Sequence, residues 1–237
     1  MSRSTAADLA LIHAVRQGLA EVADPERAPA MQKYMKSTMP FYGVPTPLQQ
    51  QVFRSVFTAH VLPDRPAFEA TAGVLWDDAT HREERYAAIA LTRQRKYRAF
   101  QDPQLLGLYE HFVVTGAWWD LVDSVASRSI GPLLRAFHDD VAPVMRSWAH
   151  HDDLWRRRTS IIVQLGSKSD TDTDLLSDCI EPSLGRKEFF LRKAIGWALR
   201  SYGAHDPCWV WHFVDEHRDQ MAPLSLKEAT RNLPSRS

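Results

Sequence analysis

Only two cysteines, Cys179 and Cys208, occur in 237 residues. With no second pair beside them, neither a disulfide framework nor a structural zinc site is available, and both thiols are expected to be reduced and partly buried. No run approaches the roughly 20 apolar residues needed to cross a bilayer, and the N-terminus lacks a charged-then-apolar leader pattern. A cytoplasmic location with no membrane partner is therefore expected. Neither sign of charge is in excess: Lys+Arg and Asp+Glu stand at 29 each. That balance excludes a basic protein that coats nucleic acid through net charge, so any surface for a polyanion must be a local patch.

Glycine is scarce, at ten residues, and alternation of the strand type is hard to find. Apolar residues recur instead at three- and four-residue steps nearly throughout, which predicts an all-α chain. With 44% hydrophobic content the chain can bury a full core. Its length allows one large domain or two small ones, and we read one, residues 1–237, with a flexible tail from about Asn232. Helices are expected over 5–22, 26–37, 47–61, 66–78, 82–97, 103–114, 118–127, 130–137, 141–150, 153–166, 173–183, 188–202, 206–217 and 225–231.

Three of these segments look like copies: Arg85-Tyr86-Ala87-Ala88-Ile89-Ala90-Leu91, Arg158-Thr159-Ser160-Ile161-Ile162, and Arg192-Lys193-Ala194-Ile195-Gly196-Trp197-Ala198-Leu199. Each sets a basic residue before a small-and-aliphatic run. Their separations, one unit of about 34 positions and one of about two such units, match stacked helical-pair repeats and predict a curved α-solenoid.

Trp118-Trp119-Asp120-Leu121-Val122-Asp123 is the stretch richest in chemistry. Trp119 and Asp123 are i and i+4 on a helix and share a face. A carboxylate beside an indole suits a positively charged substrate or transition state. Asp123 precedes Arg158 by about one repeat, and Arg158 precedes Trp197 by about another, so the register brings Trp119, Asp123, Arg158 and Trp197 to one patch of the inner face. Taken alone, a Trp-Trp-Asp run more often makes a buried aromatic anchor and a capping Asp, the roles expected for Trp118 and Asp120. Trp76, Trp148, Trp155, Trp209 and Trp211 are read as core.

Asp170, Asp172, Asp174, Asp178 and Glu181 imitate a calcium loop, but Leu175 stands where that loop needs Gly, so an N-cap at Asp172 or Thr173 is expected. His150-His151, His212 and His217 have no companion ligands, so no metal and no cofactor are expected. Pro223-Leu224-Ser225 reads as a loop and N-cap opening a last helix.

Met31-Gln32-Lys33-Tyr34-Met35-Lys36, Trp118 to Asp123, Trp155-Arg156-Arg157-Arg158-Thr159 and Lys193 to Arg200 resemble the motifs of the AlkD-like DNA alkylation repair glycosylases, from about residue 10 to residue 230. That family is built as HEAT-like repeat solenoids, and its members excise N3- and N7-alkylated purines from duplex DNA. The resemblance implies that Asp123 is the catalytic carboxylate, that Trp119 and Trp197 flank the lesion nucleotide, and that Arg158 lies beside them. Tyr34, Lys36, Thr46, Pro47 and Arg200 are similar to positions that touch the DNA backbone. Further phosphate contacts are expected from Lys33, Arg93, Arg95, Lys96, Arg156, Arg157 and Lys193, reading no sequence.

An alkylated purine is cationic and leaves readily, so the enzyme needs chiefly a negative group near the sugar carbon that becomes oxocarbenium-like. The resemblance further implies that the base stays stacked. No Schiff-base lysine is identified, so an abasic site in double-stranded DNA is expected to be left uncut, and a monomer is expected. The competing expectation is a non-catalytic helical-repeat scaffold that binds damaged DNA or a protein partner.

Overall fold

The computed structural model describes residues 7–234, and no strand occurs among them. Its chain divides into two compact units, one ending at Phe100 and the other beginning at Gln101. The first unit contains α1 (Leu9–Glu21), α2 (Ala28–Met35), α3 (Thr46–Ala59), α4 (Arg65–Asp77) and α5 (Arg82–Thr92). In the second are α6 (Leu106–Gly116), α7 (Trp119–Val125), α8 (Gly131–Ala136), α9 (His138–Ala149), α10 (Leu154–Ile162), α11 (Thr173–Ile180), α12 (Phe189–Gly203), α13 (Pro207–Glu216) and α14 (Pro223–Thr230).

Aspartates open many of these helices by accepting an otherwise orphaned amide: Asp8 from Leu11, Asp64 from Ala67, Asp153 from Trp155 and Arg156, Asp206 from Trp209. Asp172 caps α11 in the same way, accepting from Leu175 N–H at 3.0 Å, so the acidic run around it is a helix start. Boundaries differ from expectation where local geometry intervenes. The helix expected over 82–97 stops at Thr92 and is followed by a 3₁₀ segment, Arg95–Phe100. The one expected over 141–150 begins earlier, at His138, and carries Pro143 inside it. Ser225 does not cap α14 but lies within it, donating to Arg192 O at 2.8 Å. Residues 5 and 6 of the first expected helix lie outside the described residues.

In the first unit α1 packs on α3, α4 and α5 around Leu11, Val15, Phe57, Phe68, Leu75 and Trp76, all buried. The second unit's core joins α10, α11, α12, α13 and α14 through Ile161, Ile162, Leu176, Ile195, Leu199, Val210 and Phe213. Full burial of each such side chain contributes about 1.5–3 kcal/mol. Within the tail expected to be flexible from about Asn232, Leu233 packs on the core and Trp211 Nε1–H donates to Pro234 O at 3.2 Å. Residues 235–237 lie outside the described residues. Trp76, Trp148 and Trp155 are buried as expected, whereas Trp209 and Trp211 are half-buried. Cys179 is buried, which pushes its thiol up to about 12, and Cys208 is exposed rather than partly buried.

Polar contacts between successive layers of the second unit recur at one spacing. Asp123 meets Arg158 across 35 residues, His138 meets Asp172 across 34, Arg192 meets Ser225 across 33, and Arg146 meets Asp178 across 32. That recurrence is the helical-pair repeat seen in the sequence, written in hydrogen bonds.

Candidate active site

Ala117, in the left-handed region at φ 42°, turns the chain out of α6, and Trp118 is extended before α7 begins at Trp119. Leu121, Val122 and Val125 face the core, which leaves Trp119 and Asp123 half-buried on the other side, one turn apart. Asp120 sits in the first turn, where the helix dipole favours a carboxylate. Directly after α7 the chain makes a π-helical turn, Ala126–Ile130, a local widening often found at functional sites.

Asp123 is held by Arg158 of α10 through a fork: Arg158 Nε donates to Oδ1 and Nη2 to Oδ2, both at 2.8 Å. The arginine side chain is 4% exposed and the aspartate 16%, so the carboxylate is the member of the pair that reaches solvent. The third guanidinium nitrogen, Nη1, donates to Phe190 O at 2.6 Å, and the guanidinium lies 5.8 Å from the Phe190 ring centre. One buried side chain thus ties α7, α10 and the start of α12 together. Burial pushes the Asp123 carboxyl up from its ordinary range, Arg158 draws it back, and Asp120 adds a smaller upward push.

Beside this pair Trp118, Trp155 and Phe190 form an aromatic cluster with ring centres 5.0–6.1 Å apart, which gives Trp118 the packing role expected of it. Trp197 is half-buried against the core on α12, seven residues beyond Phe190. Two turns put it on the same stripe, about 10.5 Å along the axis at 1.5 Å per residue. Lys193 and Arg200 share that stripe, and both pair with Glu228 of α14.

Among the first unit's candidates, Tyr34 is 74% exposed on α2, and Lys36 follows it in the left-handed region at φ 50°. Thr46 and Pro47 open α3, are exposed, and have no side-chain cap over them. The loop before them is fixed from beneath. Buried Glu83 accepts from the amides of Tyr42, Gly43 and Val44 at 3.0–3.2 Å, and at Gly43, φ 83°, an added Cβ would lie 2.1 Å from Asp24 O.

Several basic residues expected at phosphates are engaged by groups of the protein itself. Arg157 is buried and donates to the carbonyls of His150, His151 and Pro182. Lys96 caps the end of α3 through the carbonyls of Phe57 and His60, and Arg156 pairs with Glu110 at 2.7 Å. Lys33, Arg93 and Arg95 are exposed. The Phe190 carbonyl and Glu228 carry no sequence signal of their own. Glu228, however, stands 35 positions from Lys193, the same spacing that joins Asp123 to Arg158. No group of three or more His, Cys, Asp and Glu arranged to hold a metal occurs among the described residues, and no described helix is long and apolar enough to cross a membrane.

A family model described as DNA alkylation repair enzyme matches residues 15–233. The chain belongs to the DNA alkylation repair enzyme family. A solved structure described as a predicted DNA alkylation repair enzyme from Enterococcus faecalis is similar to it, with a TM-score of 0.82 and 28% identity over 90% of this chain and 98% of that one. No curated protein matches. The all-helical repeat fold is the one expected of this DNA alkylation repair family.

Proposed function

We propose that this DNA alkylation repair family member is a monofunctional alkylpurine-DNA glycosylase that acts on cationic N3- and N7-alkylated purines in duplex DNA and leaves an abasic site. The observation that carries the reading is the forked Asp123–Arg158 pair, with its carboxylate the solvent-facing member, one helical turn from Trp119.

Departure of the purine leaves positive charge on the deoxyribose. A fixed carboxylate stabilises that charge without reorganising, and its oxygens retain lone pairs that can orient the attacking water. Arg158 acts here as the residue that sets the carboxylate rather than one that flanks the substrate, since each of its nitrogens bonds Asp123 or Phe190 and its side chain is almost wholly covered. Trp119 and Trp197 offer indole faces to a cationic sugar. With the lesion's own charge supplying selectivity, no base extrusion is required, and uncharged lesions are poor substrates. Tyr34, Lys36, Thr46, Pro47 and Arg200 contact the DNA backbone in this reading, with α3 presenting amide donors to a phosphate.

Asp123→Asn tests the chemistry. It keeps the shape and one acceptor but removes the charge, so release of 7-methylguanine or 3-methyladenine from methylated duplex should fall by about 10²–10⁴-fold, while duplex binding persists. Release at the parental rate overturns the assignment. The pairing of Arg156, Lys193 and Arg200 with carboxylates favours one other reading, a scaffold that binds without excising; base release by the parent chain excludes it.

A further inference from the structure

The stripe of α12 that carries Trp197 also carries a cation on each side of it, Lys193 four residues before and Arg200 three residues after. Both converge on one carboxylate. Lys193 Nζ donates to Glu228 Oε1 at 2.6 Å, and Arg200 Nη1 donates to Glu228 Oε2, one cation to each oxygen.

Glu228 reaches this position because α14 lies unusually close to α12. Gly196 opens the approach: a Cβ there would fall 2.5 Å from Glu228 Cβ and 2.9 Å from Ser225 O. Ser225 Oγ–H, donating to Arg192 O at 2.8 Å, fixes the same helix pair. Glu228 itself is buried, whereas the Lys193 and Arg200 side chains are 39% and 25% exposed. The carboxylate therefore lies underneath and the cations on top.

A lysine ammonium has three N–H donors and a guanidinium five, so one bond each to Glu228 leaves outward donors on both. Moving both cations off Glu228 would give up a charge-assisted hydrogen bond at each carboxylate oxygen, so they stay in place when an anion arrives. Arg231 adds a further positive field at this carboxylate, and the cluster keeps net positive charge. We propose that Glu228 is a positioning residue that sets Lys193 and Arg200 as a two-pronged grip on one DNA phosphate beside Trp197. This rests on the DNA reading above and adds to it the residue that orders the contact.

Two opposing effects follow from removing the charge on Glu228. The repulsion it exerts on a phosphate disappears, and so does the order it imposes on two long side chains. The carboxylate is matched by a cation on each oxygen, so its repulsion of a phosphate is largely offset and the loss of order dominates.

Binding of an unmodified duplex by Glu228→Gln tests this, with base release from a methylated duplex measured alongside. The expected result is an affinity about tenfold weaker, equivalent to about 1.4 kcal/mol. The enzyme concentration for half-maximal excision should rise by more than the plateau rate falls. Arg200→Ala, costly in the parent, should cost less than about twofold in the Glu228→Gln background. Affinity equal to or tighter than the parent's overturns the inference. A second route needs no change at Glu228: Lys193→Ala and Arg200→Ala combined should cost little more than either alone, and fully additive losses overturn it. Duplex binding by a parent chain that releases no base removes the glycosylase reading and leaves this one standing; a parent that binds no duplex at low salt removes both.

Discussion

Asp123 and Arg158, 35 residues apart, are joined by two parallel hydrogen bonds of 2.8 Å, and the arginine is the more deeply buried of the two. A carboxylate left to itself on a half-exposed helix face would sample several rotamers. Forked to a guanidinium that is also bonded to Phe190 O, it has one. The arrangement costs desolvation of both ions, which the Coulomb attraction offsets only because the geometry is good. Stability alone would be as well served by apolar side chains, so the fork is consistent with the proposed role of a fixed carboxylate.

Arg158→Lys should separate positioning from charge. Lysine retains the positive charge but presents a point, not a fork, and cannot hold both Asp123 oxygens and the Phe190 carbonyl at once. We expect the excision rate to fall by about 10²-fold, the cost of a carboxylate displaced by roughly 1 Å, with the fold retained. Arg158→Ala leaves a buried carboxylate unpaired and should cost about 3–5 kcal/mol of stability. Single-turnover base release beside thermal melts reads both effects, and a lysine variant with parental activity would show that the fork is dispensable.

The acid limb of the reaction follows from the direction of the Asp123 shift. In the proposed reaction the working form of Asp123 is the ionised one, and burial raises its carboxyl above the ordinary aspartate range. Activity should therefore be lost as pH falls through a midpoint above the ordinary aspartate value, and be restored as pH rises. Arg158 lowers that midpoint, so Arg158→Ala should move it further up, whereas Arg158→Lys, which keeps the charge, should move it less. Excision rates from pH 4 to 8, corrected with Asp123→Asn for spontaneous base loss, test the order of the three midpoints.

What the chain displays as sequence and what it hides are separated by whether a residue's partner lies one repeat away or is decided by packing. The Trp119–Asp123 face follows from helical spacing, and the meeting of Asp123 with Arg158 follows from the repeat length, so both could be read without coordinates. Arg156 and Arg157 are neighbours in sequence, yet one pairs with Glu110 at the surface and the other is buried among carbonyls. Nothing local distinguishes them, because the rotation of α10 against its neighbours sets which points inward. Glu228 shares the informative spacing, but a glutamate on a short amphipathic helix looks like a solvated side chain until α14 is seen lying on α12. The early end of the helix expected over 82–97 has a similar cause. Lys96 leaves the helical path in a 3₁₀ segment and satisfies the carbonyls at the end of α3.

Glu83 should prove a stability residue with a local effect. Its carboxylate is fully buried and accepts the amides of Tyr42, Gly43 and Val44, the loop that leads to Thr46. Glu83→Ala strands three donors, at about 1–3 kcal/mol each where water cannot reach them. We expect a lowered melting temperature and faster hydrogen exchange at residues 42–44, with α10 and α12 unaffected. Exchange spread evenly over the chain would contradict the local role.

Gly196→Ala provides the most direct perturbation of the α12–α14 contact, because it adds one methyl group and changes no charge. The new Cβ would stand 2.5 Å from Glu228 Cβ and 2.9 Å from Ser225 O, distances that force one helix away from the other. Backbone and the stem of a side chain cannot rotate aside as the end of a flexible side chain could, so α14 must shift. Overpacking of this kind costs about 1–3 kcal/mol. The shift should lengthen the Ser225–Arg192 hydrogen bond and carry Glu228 away from Lys193 and Arg200, whose ordering depends on its position. Duplex affinity should therefore fall together with stability, and Asp123, held through α10, should keep its fork. A variant that melts earlier but binds duplex like the parent would mean that the seating of α14 does not reach the α12 cations; one that loses base release at saturating enzyme while binding normally would mean that it acts on Asp123 instead.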